Sequence, residues 1–136
     1  MVRKPKKKKV VVKLTPKEQG LLKECKSILK ENPKLKRKKL DKIKDLEKRL
    51  YYLKVWYITE SQPLHELRNH KKRGWRKYHL DHVVPIVHGF LNNMPPEQIG
   101  HISNLRFIHW SKNMKKGSSI TEDSHRVLRK IKRSNG

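Results

Sequence analysis

Hydrophobic positions along this chain fall into two regimes. Between residues 14 and 60 they recur at helical spacing, whereas after residue 75 they form short alternating runs separated by Pro, Gly and Asn. Leu21, Leu22, Cys25, Ile28 and Leu29 share one face of a predicted helix. Thr15 caps it, Pro16 suits its first position and Glu18 completes a Thr-x-x-Glu capping box. Asn32-Pro33 stops it. A second helix is predicted from about Pro33 to Tyr57, its seam formed by Ile43, Leu46, Leu50, Leu53 and Tyr57. Packing the first apolar face on that seam predicts an antiparallel helical hairpin, with Cys25 a small core residue and not a reactive thiol.

Ser61-Gln62-Pro63 breaks the helical pattern, and residues 61–74 read as a linker or short basic helix ended by Gly74. Tyr78 to Pro85 has the alternation of a strand ending at a proline. His88-Gly89 and Asn92 to Pro96 read as one long loop, and Ser103 to Ile108 as a second strand. Ser111 is placed to cap a helix that carries Asn113, Lys115 and Lys116 and stops at Gly117. Trp75, Phe107 and Trp110 are expected to fill the core of this small module. The expected fold class is α+β: a basic arm over 1–13, a basic helical hairpin over 14–60, a module over 75–118 and a C-terminal basic helix over 119–136.

Charge changes the picture. The 136 residues hold 36 Lys and Arg against 12 Asp and Glu, a formal net charge of +24. Residues 1–74 carry 25 basic and 8 acidic side chains, so +17 of that excess lies in the front half; residues 75–117 contribute only +4. A compact body so charged repels itself unless a polyanion screens it, and nucleic acid is the first candidate. The second predicted helix displays Lys36, Arg37, Lys38 and Lys39, a phosphate-contacting surface. No apolar run approaches the ~18 residues of a membrane span, and the narrow apolar stripe of the second helix argues against a membrane-surface role. The single cysteine excludes an internal disulfide or a cysteine zinc knuckle and points to a reducing, intracellular, cytoplasmic setting. The basic run Pro5 to Val10 would suit nuclear import in a eukaryote.

Candidate chemistry lies in the less charged part. Hard divalent cations take oxygen ligands, and the Asp81 carboxylate with the Asn113 amide oxygen supplies two while leaving room for water and phosphate. His82 is a base that titrates near neutral pH. Neighbours on a strand point to opposite faces, so Asp81 and His82 can flank one phosphate only at a strand end. His79, two residues before Asp81, shares its face and is a secondary site residue. Arg106, Lys112, Lys115 and Lys116 flank the site and are positioned to grip phosphates.

The ordered set Asp81-His82, a long spacer containing Pro85 and Gly89, Asn104-Leu105, and Asn113-Met114-Lys115-Lys116-Gly117 resembles the HNH endonuclease family over about 40 of the 136 residues. The resemblance implies a ββα-metal nuclease module of the phage or mobile-element type that hydrolyses phosphodiester bonds of DNA. It further implies His82 as general base, Asp81 and Asn113 as ligands of one divalent cation (Mg²⁺, with Mn²⁺ as the alternative), and Asn104 as the residue that holds the loop and orients the base. The paired cysteines of many relatives are missing, so no structural zinc is expected. The expected partner is double-stranded DNA and the expected state a monomer or weak homodimer. The competing expectation is a non-catalytic basic nucleic-acid-binding or architectural protein, which explains the charge but not the ordered Asp, His and Asn set.

Overall fold

A computed structural model describes residues 13–35, 40 and 42–135 of the chain. The basic arm up to residue 12, including Pro5 to Val10, and the candidate phosphate contacts Lys36, Arg37, Lys38 and Lys39 lie outside the described residues.

Helix α1 spans Pro16–Glu31. Its predicted capping box forms in full: the Glu18 N–H donates to Thr15 Oγ1 (3.2 Å) and the Thr15 N–H donates back to Glu18 Oε1 (3.3 Å). The helix ends at Asn32, as predicted, and a short 3₁₀ turn follows at Pro33–Leu35. Helix α2 spans Leu46–Ser61. It does not start at Pro33, because Asp45 accepts from the N–H groups of Glu47 and Lys48 and so fixes the first turn at Leu46, well past the expected start.

The two helices also run in the same direction, which overturns the antiparallel hairpin. Lys17 pairs with Glu47 (2.7 Å) and Glu24 with Lys54 (3.9 Å), so positions near the start of α1 meet positions near the start of α2. At the far end, Glu31 and Asn32 line one cleft with Tyr57, Glu60 and Ser61. The connection over residues 32–45 is long enough to return along a helix of this length; at roughly 3.3 Å per residue it reaches well past one helix. A seam of apolar side chains specifies contact, not direction.

Strand β1 spans Tyr78–His82 and β2 spans Leu105–His109, paired antiparallel with Leu80 opposite Phe107 and Asp81 opposite Arg106. The predicted long loop between them is partly helical: α3 covers Ile86–Leu91 and α4 covers Pro96–Ile99. Gly89 allows it, since a Cβ there would collide with Tyr51 Oη and Ile99. Helix α5, Trp110–Lys116, follows β2 directly and packs on both strands. Its cap is His109, whose Nδ1 accepts from the Ser111 N–H (3.3 Å), and not Ser111 as expected. Gly117 ends it at φ +52°. Helix α6, Glu122–Asn135, is held by Ser124, whose hydroxyl donates to the Val83 carbonyl (2.6 Å). The chain is therefore mixed helix and strand, compatible with α+β.

Among the described residues the core has three clusters, and α2 reaches all of them. Leu50 and Leu53 pack with Cys25 and Leu40. Val55 packs with Val84, Ile86 and Ile99. Trp56 lies against Leu80, Leu105 and Phe107 of the sheet. Cys25 and Phe107 are buried as predicted, but Trp75 is 79 % exposed and Tyr57 47 %. The expectation that Trp75 is core therefore fails, and Tyr57 is off the seam because α2 turns toward the sheet through Trp56 and Thr59.

Candidate functional site

Alternation along β1 sorts the candidate residues. Leu80 and His82 face α2, while His79 and Asp81 face α5. His82 is the last residue of β1. At that end Asp81 and His82 line the same cavity, about 170 Å³, together with Asn113, Lys116, Pro85 and Tyr52.

His82 is buried against α2. The Trp56 ring meets the imidazole edge-on at 4.9 Å. Its Nε2 lies 2.9 Å from Thr59 Oγ1, and the Thr59 hydroxyl donates its own proton to the Val55 carbonyl (2.7 Å). A hydroxyl has one proton to give. Thr59 therefore accepts from His82, which puts the imidazole proton on Nε2 and makes Nδ1 the basic nitrogen.

Asp81, 5 % exposed, is held by two cations. Arg106 Nε donates to Oδ2 (2.9 Å) across the strand pair, and Lys116 Nζ donates to Oδ1 (2.9 Å). Lys116 also donates to the His82 carbonyl (3.0 Å), so one ammonium rests on two oxygens of the site. Arg106 reaches on to Asp123 of α6 (2.8 Å). Burial weakens the Arg106 charge, but hydrogen bonds to Asp123 and Asp81 outweigh it and its pKa lies above the ordinary arginine value. The same contact from Arg106 holds the Asp123 carboxyl below its usual range. Of the four basic residues expected to grip phosphates here, Lys112 and Lys115 are exposed on α5. Arg106 and Lys116 are instead bound to Asp81.

Asn104 is fully buried and structural. Its Oδ1 accepts from the Val84 N–H (2.7 Å), and its Nδ2 donates to the carbonyls of Val84 (3.1 Å) and Ile99 (2.8 Å). It thereby clamps the segment after β1 to the end of α4. Asn113 sits three residues before Lys116 on α5, so both point at β1. Its Nδ2 meets His79 Nδ1 at 3.0 Å. His79 Nε2 donates to the Trp75 carbonyl (2.7 Å), which leaves Nδ1 to accept from Asn113.

Two partners of the site carry no signal in the sequence. Thr59 lies 23 residues before His82, within an apolar helix. Ser124 lies 41 residues from Val83. Among the described residues no group of three or more His, Cys, Asp or Glu side chains is placed to hold a metal ion. The donor set that fits a hard cation is smaller: Asp81 and the amide oxygen of Asn113, which line the same cavity. A buried ammonium seated on Asp81 Oδ1 and the His82 carbonyl marks the place as one that accepts positive charge. Among the described residues no helix is long and apolar enough to cross a membrane.

Comparison with family models, with curated proteins and with solved structures finds no match for this chain.

Proposed function

We propose that the chain is a metal-dependent DNA endonuclease of the HNH type. The observation that carries this reading is the setting of His82: its Nε2 is held 2.9 Å from Thr59 Oγ1, within a cavity that Asp81, Asn113 and Lys116 also line, an arrangement that suits Nδ1 to act as the base. The strand–strand–helix order of β1, β2 and α5 supports it.

In the proposed reaction His82 Nδ1 takes a proton from water as the oxygen attacks the scissile phosphorus. The bond from phosphorus to the 3′ oxygen breaks, and that oxygen takes a proton from solvent and departs as a 3′-hydroxyl, leaving a 5′-phosphate on the other fragment. Asp81 and Asn113 would hold one divalent cation, Mg²⁺ or Mn²⁺, which supplies charge neutralisation at the phosphate and the leaving oxygen. Thr59 keeps the imidazole in the productive tautomer, Trp56 fixes its plane, and Asn104 holds the backbone that follows it. Exposed Lys112 and Lys115 offer phosphate contacts beside the cavity.

The non-catalytic reading draws on one observation: both Asp81 oxygens are already paired with cations. Supercoiled-plasmid nicking in Mg²⁺ or Mn²⁺ separates the two. The nuclease reading expects nicked product from the wild type, none in EDTA, and a rate at least about 100-fold lower for His82→Ala. DNA binding without cleavage in either metal supports the architectural reading and sinks the nuclease.

A further inference from the structure

Beside the 170 Å³ cavity lies a second and larger one, about 530 Å³. The two share Tyr52, Leu80 and Asn113 as a common wall. The larger cavity has an aromatic lining, with Trp56 and Tyr78 joining Tyr52, and Trp75 at its edge. Its other feature is charge. Trp75 sits in the run Lys71-Lys72-Arg73-Gly74-Trp75-Arg76-Lys77, where five of seven side chains are cationic and exposed.

The exposed indole is not a loose side chain on a loose turn. The Gly74 N–H donates to the Tyr78 carbonyl (3.1 Å) and the Lys77 N–H donates to the Gly74 carbonyl (3.2 Å), closing the turn. The Trp75 carbonyl accepts from His79, and His79 in turn accepts from Asn113. Two hydrogen bonds therefore tie the Trp75 backbone to a residue of the candidate site. Arg76 already lies over the indole, its guanidinium 4.8 Å from the ring centroid. Arg73 is fixed nearby by Glu60 (2.6 Å).

A large apolar ring held open to solvent loses the stabilisation that burial would give it, and its surroundings name the occupant. Aromatic faces next to a cationic rim bind a strand whose bases are free to stack and whose phosphates are free to pair. A duplex offers the phosphates but not the faces of its bases. We propose that this cavity takes an unpaired nucleotide of a single DNA strand, stacked on Trp75, immediately beside the phosphate to be cut. The inference builds on the nuclease reading and names its substrate class: single-stranded or locally unpaired DNA, in place of the intact duplex that the family resemblance implies.

Binding can be read without cleavage. The full chain is titrated in EDTA against a short fluorescein-labelled single-stranded DNA, the duplex of the same sequence and the matching RNA strand, by fluorescence anisotropy. Stacking on one aromatic side chain is worth enough that Trp75→Ala is expected to weaken single-strand binding about tenfold while duplex binding changes by less than about twofold. Trp75→Phe is expected to recover most of the loss. Being exposed, position 75 tolerates both changes without loss of fold, which circular dichroism checks. A single-strand loss below about threefold, a duplex loss of the same size, or a loss confined to RNA overturns the proposal. Failure of the nuclease reading would appear elsewhere, as a wild type that binds the strand in EDTA and cuts nothing in Mg²⁺.

Discussion

Lys116→Met tests the charge arrangement of the site independently of any activity. The substitution keeps the length of the side chain and removes the ammonium that sits 2.9 Å from Asp81 Oδ1 and 3.0 Å from the His82 carbonyl. Both partners are nearly dry, with 6 % and 5 % of their side chains exposed, so solvent cannot take the place of the lost partner. Stripping one member from a buried ion pair costs about 3–5 kcal/mol. Here Asp81 keeps Arg106 on its second oxygen, which puts the expected loss somewhat below that range, about 2–3 kcal/mol. For a chain of this size that is a fall in Tm of roughly 6–12 °C, read by thermal denaturation in EDTA. Asp81→Asn in the Lys116→Met background removes the stranded charge and is expected to recover at least about 1 kcal/mol. With the ammonium gone, Asp81 Oδ1 and the His82 carbonyl are open to another cation, and Mg²⁺ at 100 times its Kd would return about 2.7 kcal/mol. A variant that melts within about 1 kcal/mol of the wild type refutes the buried pair as a stabilising element. A variant that Mg²⁺ does not stabilise at all refutes these oxygens as a cation seat.

Other substitutions probe the supports of the site. Thr59→Val leaves the His82 Nε2–H without its acceptor and is expected to cost about 1–3 kcal/mol in urea denaturation; nicking should slow about tenfold and its pH–rate profile shift, whereas Thr59→Ser keeps both. Gly89→Ala drives a methyl group into Tyr51 Oη and Ile99, and a destabilisation of about 2–3 kcal/mol is expected from chemical denaturation. The Tyr51 phenol, which donates to the Met94 carbonyl, is pushed up to about 12 by burial and by Glu97. Its contribution is fully present below pH 10 and is lost between pH 10 and about 12, as the unfolded phenol ionises first. Denaturation midpoints across that range should therefore fall less steeply for Tyr51→Phe than for the wild type.

What the chain declares locally, it keeps. The Thr15, Pro16 and Glu18 start of α1, its stop at Asn32 and the Gly117 stop depend on neighbours within a few residues, and all appear; the two strands appear as well, announced by their local alternation. Failures gather where the deciding contact is distant. The helix over Ile86–Leu91 hides in a segment rich in Pro, Gly and Asn because Gly89 is required by Tyr51 and Ile99, not by a turn. The direction of α2 against α1 is not encoded by periodicity, and the connection is long enough to allow either. Asp81, His82 and Asn113 do converge on one cavity, but Lys116 and Arg106 read as outward phosphate contacts because a sequence cannot say which cation meets a buried carboxylate. Thr59 was invisible: a hydroxyl on an apolar helix face has no signature until its distant partner is folded against it.

That hydroxyl makes the front half of the chain answerable for the back. Helix α2 carries Leu50 and Leu53 into the α1 core and, one to two turns later, Trp56 and Thr59 onto the imidazole. A fragment starting at residue 75 would keep Asp81, His82, Asn104 and Asn113 yet lose the partner that chooses which nitrogen of His82 is basic. On the proposed nuclease reading the lysine-rich helices would be more than a handle for DNA: any tilt of α2 would be felt directly at His82, so holding and cutting would share a single lever.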